Sequence, residues 1–64
     1  MSRYRIYVLD IQERIAAHLE EPFVNDGAAL QCAWIAAVGQ YAAEVWKGER
    51  LVARLGGALK LDLV

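Results

Sequence analysis

The chain has one cysteine, one histidine and one proline in 64 residues, and its seven basic side chains are offset by eight acidic ones. Cys32 alone excludes an intrachain disulfide, and Cys32 with His18 cannot supply the usual four Cys/His ligands of a zinc site. The net charge of -1 gives no bulk attraction to phosphate backbones or anionic membranes. A phosphate-cradling loop is missing, because Gly56-Gly57 runs into ALKLDLV rather than into a helix that opens with Lys-Ser/Thr. Glu20 and Glu21 are adjacent, and on a strand adjacent side chains leave by opposite faces, so they do not form an acid-base pair. What is plentiful is apolar surface: hydrophobic residues are 58% of the chain. That is too apolar for intrinsic disorder. It is also more than a chain this short hides easily, since a domain of about 60 residues buries only about 60% of its unfolded surface. With disulfides and structural metal absent, association is the remaining way to stabilise so small a domain.

The order of residues predicts a single domain over 1–64, with a core over 1–55. Arg3 to Leu9 (RYRIYVL) alternates, placing Tyr4, Ile6 and Val8 on one face and Arg3, Arg5 and Tyr7 on the other, as in a half-buried strand. Asp10 to Glu13 is polar enough for a turn. Arg14 to Glu20 alternates again, with Ile15, Ala17 and Leu19 on one side, so a second strand and a hairpin follow. The rival is a helix over 11–21, with Ile11, Ile15 and Leu19 four apart. Pro22 is expected to end either element. Asn25 or Asp26 is a suitable helix N-cap. From Gly27 to Ala43 no residue is charged, and the alanine-rich helix there ends at Gly39 or runs on to Lys47. At 100° per residue Leu30, Ala33, Trp34 and Ala37 share a face suited to covering a sheet, with Ile35, Cys32 and Ala28 opposite. Beyond the Gly56-Gly57 break, Leu59, Leu61 and Leu63 alternate with Lys60 and Asp62 as a short strand or tail.

Tyr4, Tyr7 and Val8, then Asp26, Ala28, Ala29 and Leu30, then Glu44, Val45, Trp46, Gly48, Arg50, Val52, Ala53, Arg54 and Leu55 stand in a familiar order. Over Arg3 to Leu55 the chain resembles a group of short alphaproteobacterial proteins. Their pattern is an RxYxxYVL strand, a second strand, an acid-capped alanine-rich helix and a VELWxGxRxVARL segment. The resemblance implies that the last segment is a β-hairpin, and so favours an α+β fold of order ββαββ: a small antiparallel sheet with one covering helix. It implies no activity. This chain departs from the pattern in a less charged helix and in the added leucine tail, and both place apolar surface where a monomer leaves it exposed.

No catalytic site, cofactor or metal is expected. Cys32, among Leu30, Ala33 and Trp34, has no basic neighbour to activate it and reads as a small hydrophobe. Ser2 lies at a terminus, and His18 on a polar strand face reads as a solvated imidazole. Arg3, Arg5 and Tyr7 share a face, as single-stranded nucleic acid stacking on a cationic platform requires. The acids of the second strand offer ion pairing as the plainer explanation of those arginines. A membrane span is not expected, because the uncharged run is shorter than the ~20 residues needed and holds Gln31 and Gln40. The first residues lack the apolar core and cleavage site of a signal peptide, so a cytoplasmic location is the expectation. A helix apolar on all sides needs cover from its own sheet and from something else. The leading expectation is a homo-oligomer, a dimer first, joined through Trp34, Ile35, Val38, Leu59, Leu61 and Leu63 and serving as a binding or assembly module.

Overall fold

The computed structural model describes residues 1–57; the C-terminal strand or tail, with Leu59, Leu61 and Leu63, lies outside the described residues. Five elements follow in ββαββ order: β1 (Ser2–Leu9), β2 (Ile15–Phe23), α1 (Asp26–Ala36), β3 (Ala42–Lys47) and β4 (Arg50–Gly56). The four strands make one antiparallel sheet in the order β2-β1-β3-β4, so the chain adopts the expected α+β architecture.

The alternation of β1 sets the two faces. Tyr4, Ile6 and Val8 are buried beneath α1, while Arg3 and Arg5 are exposed on the far side. Ile6 lies opposite Val45 of β3, and with Tyr4 these two form the sheet's share of the core, while Leu19 of β2 on the other side of Ile6 stays partly exposed at the rim of this run. The helix meets this run through Ala29 and Ala33, each 0% exposed, with Leu30 and Cys32 packed at the sides. This corrects the face expected from helical spacing: Trp34 is 64% exposed, and Cys32 packs toward the core. Alanines on the inner line let the helix backbone sit close to the sheet, and a bulky indole there would hold it off. Ala43 of β3, opposite Val8, is enclosed on the same side, while Ala42, opposite Leu9, is buried on the other face of the sheet.

The second element is a strand, not the rival helix, and it passes through Pro22 to end at Phe23. Proline does not break it because β2 lies at the edge of the sheet, where a residue without an N–H is tolerated. A bulge shifts the register between Val8 and Leu9, so that Ala17 faces Val8 but Ile15 faces Leu9. Ile15 thereby leaves the Ala17–Leu19 face and lines a hollow on the open side of the sheet with Arg5, Tyr7 and Trp46.

Three turns fix the connections. Asp10 Oδ1 accepts from the backbone N–H of Gln12 at 2.9 Å and of Arg14 at 3.0 Å. This side-chain turn holds Glu13 in the left-handed region at φ 64°. The helix ends earlier than either expected stop, at Ala36. It unwinds through turns in which Val38 N donates to Ile35 O and Gln40 N to Ala37 O, with Gly39 at φ 77° reversing the chain. The β3–β4 hairpin closes at Gly48-Glu49, between the paired Lys47 and Arg50.

Candidate association surface

The start of α1 is fixed by polar contacts. Asn25 Oδ1 accepts from the Ala28 N–H at 2.8 Å, capping one otherwise unpaired amide. Asp26, in the first turn, is favoured by the helix dipole. It accepts from the Tyr4 hydroxyl at 2.5 Å and from Arg50 at 3.5 Å, tying the helix to β1 and β4. The Tyr4 hydrogen bond, with Arg50 beside it, holds the Asp26 carboxyl below its ordinary pKa. The same bond, with burial and the adjacent carboxylate, raises that of the Tyr4 hydroxyl. Asp10 is likewise lowered, chiefly by the Arg14 backbone N–H.

With one face of the helix fixed inward, bulky residues of its last turn and of the turn that follows point out. Trp34 is 64% exposed, Ile35 70% and Val38 75%. Beside them Trp34, Ala37, Val38, Tyr41 and Leu55 line a hollow of about 300 Å³ that ends at Gly56, where the described sheet ends. Three of the six residues expected to join copies are therefore clustered on the outer side of the helix. Leu59, Leu61 and Leu63 lie outside the described residues.

The other side of the sheet carries the residues considered for nucleic acid. Arg3 pairs with Glu20 at 3.4 Å. Arg54 bridges Glu13 at 2.7 Å and Glu44 at 2.8 Å. Arg5 reaches the Tyr7 hydroxyl and the Gly48 carbonyl, both neutral. Tyr7 stacks on His18 with ring centroids 5.4 Å apart. The structure thus brings Arg3, Arg5 and Tyr7 to one face but sets three carboxylates among them.

Nothing gathers the nucleophile candidates. Cys32 packs on the helix side of the sheet, while His18 stacks on Tyr7 on the other side. Ser2 lies opposite Phe23 at one end of β1. Among the described residues no group of three or more His, Cys, Asp or Glu is placed to hold a metal ion. No helix among them is long and apolar enough to cross a membrane.

Sequence reasoning placed the second strand but not its position at the edge of the sheet. Every residue of β2 from Ile15 to Pro22 is exposed, including Ile15 at 61% and Leu19 at 37%. Helix α1 lies over the rest of the sheet and leaves a groove between itself and β2, lined by Val8, Ala17, Leu19, Ala36 and Gln40. The only local signal was Pro22, which a strand carries at an edge. Compared with family models, curated proteins and solved structures, the chain matches none.

Proposed function

We propose that this chain is a self-associating binding or assembly module, and not an enzyme, whose copies join through the outer face of α1. The observation that carries the reading is the inversion of size on the helix. Alanines meet the sheet, while Trp34, Ile35 and Val38 stand 64%, 70% and 75% exposed. Burying a large apolar side chain contributes roughly 1.5–3 kcal/mol, so three adjacent ones supply a substantial driving force for association. The balanced charge, -1 overall, does not oppose a like-with-like contact.

Sedimentation at micromolar concentration tests this. The expected result is a species heavier than the 7.1 kDa chain, reduced in mass in Ile35→Glu/Val38→Glu with an unchanged far-UV circular dichroism spectrum. A wild-type chain that remains at 7.1 kDa up to high micromolar concentration defeats the reading. The nucleic-acid alternative keeps Arg5 as a cation with neutral partners. It has weaker support, because Glu20, Glu44 and Glu13 answer the neighbouring arginines on the same face.

A further inference from the structure

We propose that β2 is a second self-contact, pairing antiparallel with β2 of another copy about a two-fold axis at Leu19 and joining two sheets into one. The inference rests on the self-association reading for its occupant but uses a different surface. β2 is the outer strand of the β2-β1-β3-β4 order, nine residues long and exposed throughout Ile15 to Pro22. Such an edge offers unpaired N–H and C=O groups to another strand. Of the devices that blunt such edges, β2 carries a bulge and Pro22 at its two ends with Glu20 and Glu21 between them, but it has no lysine, and no element among the described residues covers it.

The backbone sets which residues can bond across the edge. Pro22 has no N–H, so β2 keeps its ladder to β1 only if position 22 turns its nitrogen away from β1. Backbone direction alternates along a strand, so His18 and Glu20 also turn their N–H and C=O groups to the open edge. The bulge at Ile15–Ala17 and Pro22 then bound a free ladder centred on Leu19.

Charge selects the register. A two-fold at position 20 sets Glu20 against the partner's Glu20, and one at position 21 sets Glu21 against the partner's Glu21. A two-fold at position 18 opposes the two imidazoles and moves Glu20 onto the bulge. At position 19, His18 lies across from the partner's Glu20, and Ala17 from the partner's Glu21, each twice. The imidazole meets a carboxylate that Arg3 already orients at 3.4 Å. In this register His18 and the partner's Glu20 exchange both backbone hydrogen bonds. Leu19 and the partner's Leu19 become the close, non-bonded pair, with Cα atoms about 4.5 Å apart. Their contact covers the half-exposed Leu19 beside the helix-side groove.

The test is disulfide trapping in a Cys32→Ser background with oxidised glutathione, read on a non-reducing gel. Leu19→Cys places two thiols within the roughly 4.4–6.8 Å Cα separation a disulfide needs. His18→Cys places them about two residues out of step, beyond that range. Covalent dimer forming at least tenfold faster in Leu19→Cys than in His18→Cys is the expected result, and it persists with Ile35→Glu/Val38→Glu added. His18→Glu, which sets like charges opposite each other twice, raises the dissociation constant of that contact by roughly 3–30-fold. Equal trapping rates, or no trapping of Leu19→Cys while the wild-type chain still sediments as an oligomer, overturn the edge pairing while leaving the helix-face reading intact. Absence of both trapping and oligomer overturns both. All substitutions on β2 fall on exposed positions, and a native circular dichroism spectrum checks that the fold is kept.

Discussion

The inward face of α1 gives the sharpest prediction, because two readings of the same helix assign opposite roles to neighbouring residues. Ala33 is 0% exposed between the helix and the sheet, and Trp34 is 64% exposed. Replacing Ala33 by Leu barely changes helix propensity, so its effect isolates packing. Forcing an isobutyl group into a close-packed layer typically destabilises by about 1–3 kcal/mol. At ~4–8 °C of Tm per kcal/mol for a small domain, that is a fall of roughly 4–24 °C. A chain of 64 residues has only ~3–10 kcal/mol of stability, so a loss at the upper end removes from about a third to all of it.

Trp34→Ala is the matched control. An indole between helix and sheet would cost ~3–5 kcal/mol to truncate, whereas an exposed one changes monomer stability within about 0.5 kcal/mol. Thermal melts followed by far-UV circular dichroism, at dilutions low enough that association does not contribute, compare the two. If Trp34→Ala lowers Tm more than Ala33→Leu, or if Ala33→Leu leaves it unchanged, the helix docks by its aromatic side and the reasoning fails.

Two further outcomes follow from turns and titrating groups. Gly39 and Gly56 both lie at positive φ, 77° and 73°, but a methyl at Gly39 meets nothing within 4 Å while one at Gly56 lies 2.9 Å from the Tyr41 carbonyl oxygen. Gly39→Ala should therefore lose only the ~1–2 kcal/mol of a left-handed alanine, and Gly56→Ala measurably more in urea unfolding; equal losses would show that the close approach does not matter. The second concerns pH. Asp26 is lowered from 3.8, so its share of stability is present above that value and fades as pH falls through the lower folded-state pKa. Tyr4 is raised from 10.0, so its share is present below that value and fades as pH rises through the higher folded-state pKa. Tyr4→Phe should flatten the alkaline arm of a Tm-against-pH profile and reduce the acid arm. Some acid sensitivity should remain, because Asp10 is lowered independently by the Arg14 and Gln12 backbone. An acid arm identical to wild type would place the stabilisation of Asp26 elsewhere.

How much of this was legible depends on whether the information is local. The alternation of β1 was readable because Arg3, Arg5 and Tyr7 contrast with Tyr4, Ile6 and Val8, and burial follows that contrast residue by residue. The phase of α1 was not, because a helix apolar on every side has no polar face to mark solvent. The choice of inner line then falls to residue size, with the smallest side chains taking the narrow gap over the sheet. The bulge before Ala17 and the passage of β2 through Pro22 depend on which strand lies beside which. That order is set by β1 pairing with β3 across the helix, a long-range event no window of sequence contains. The exposed cluster on α1 was foreshadowed by composition, whereas the open edge of β2 was not.

The two surfaces also differ in what they build. The outer face of α1 lies above the sheet, and the edge of β2 lies in its plane, so one contact does not block the other. In the proposed assembly each patch meets its own copy, and one such patch alone closes as a dimer and stops. Two different self-complementary patches on one chain do not stop there: their two-fold axes either cross and close a tetramer or run apart and propagate an open array. Glu20 and Glu21 limit the second course. Of the registers about positions 19, 20 and 21, only that about Leu19 avoids stacking like carboxylates, and that about position 18 runs Glu20 onto the bulge, so a slipped edge is penalised where an uncharged strand would be tolerant. In the proposed pairing the adjacent acids Glu20 and Glu21 thus make an exposed edge selective for one register.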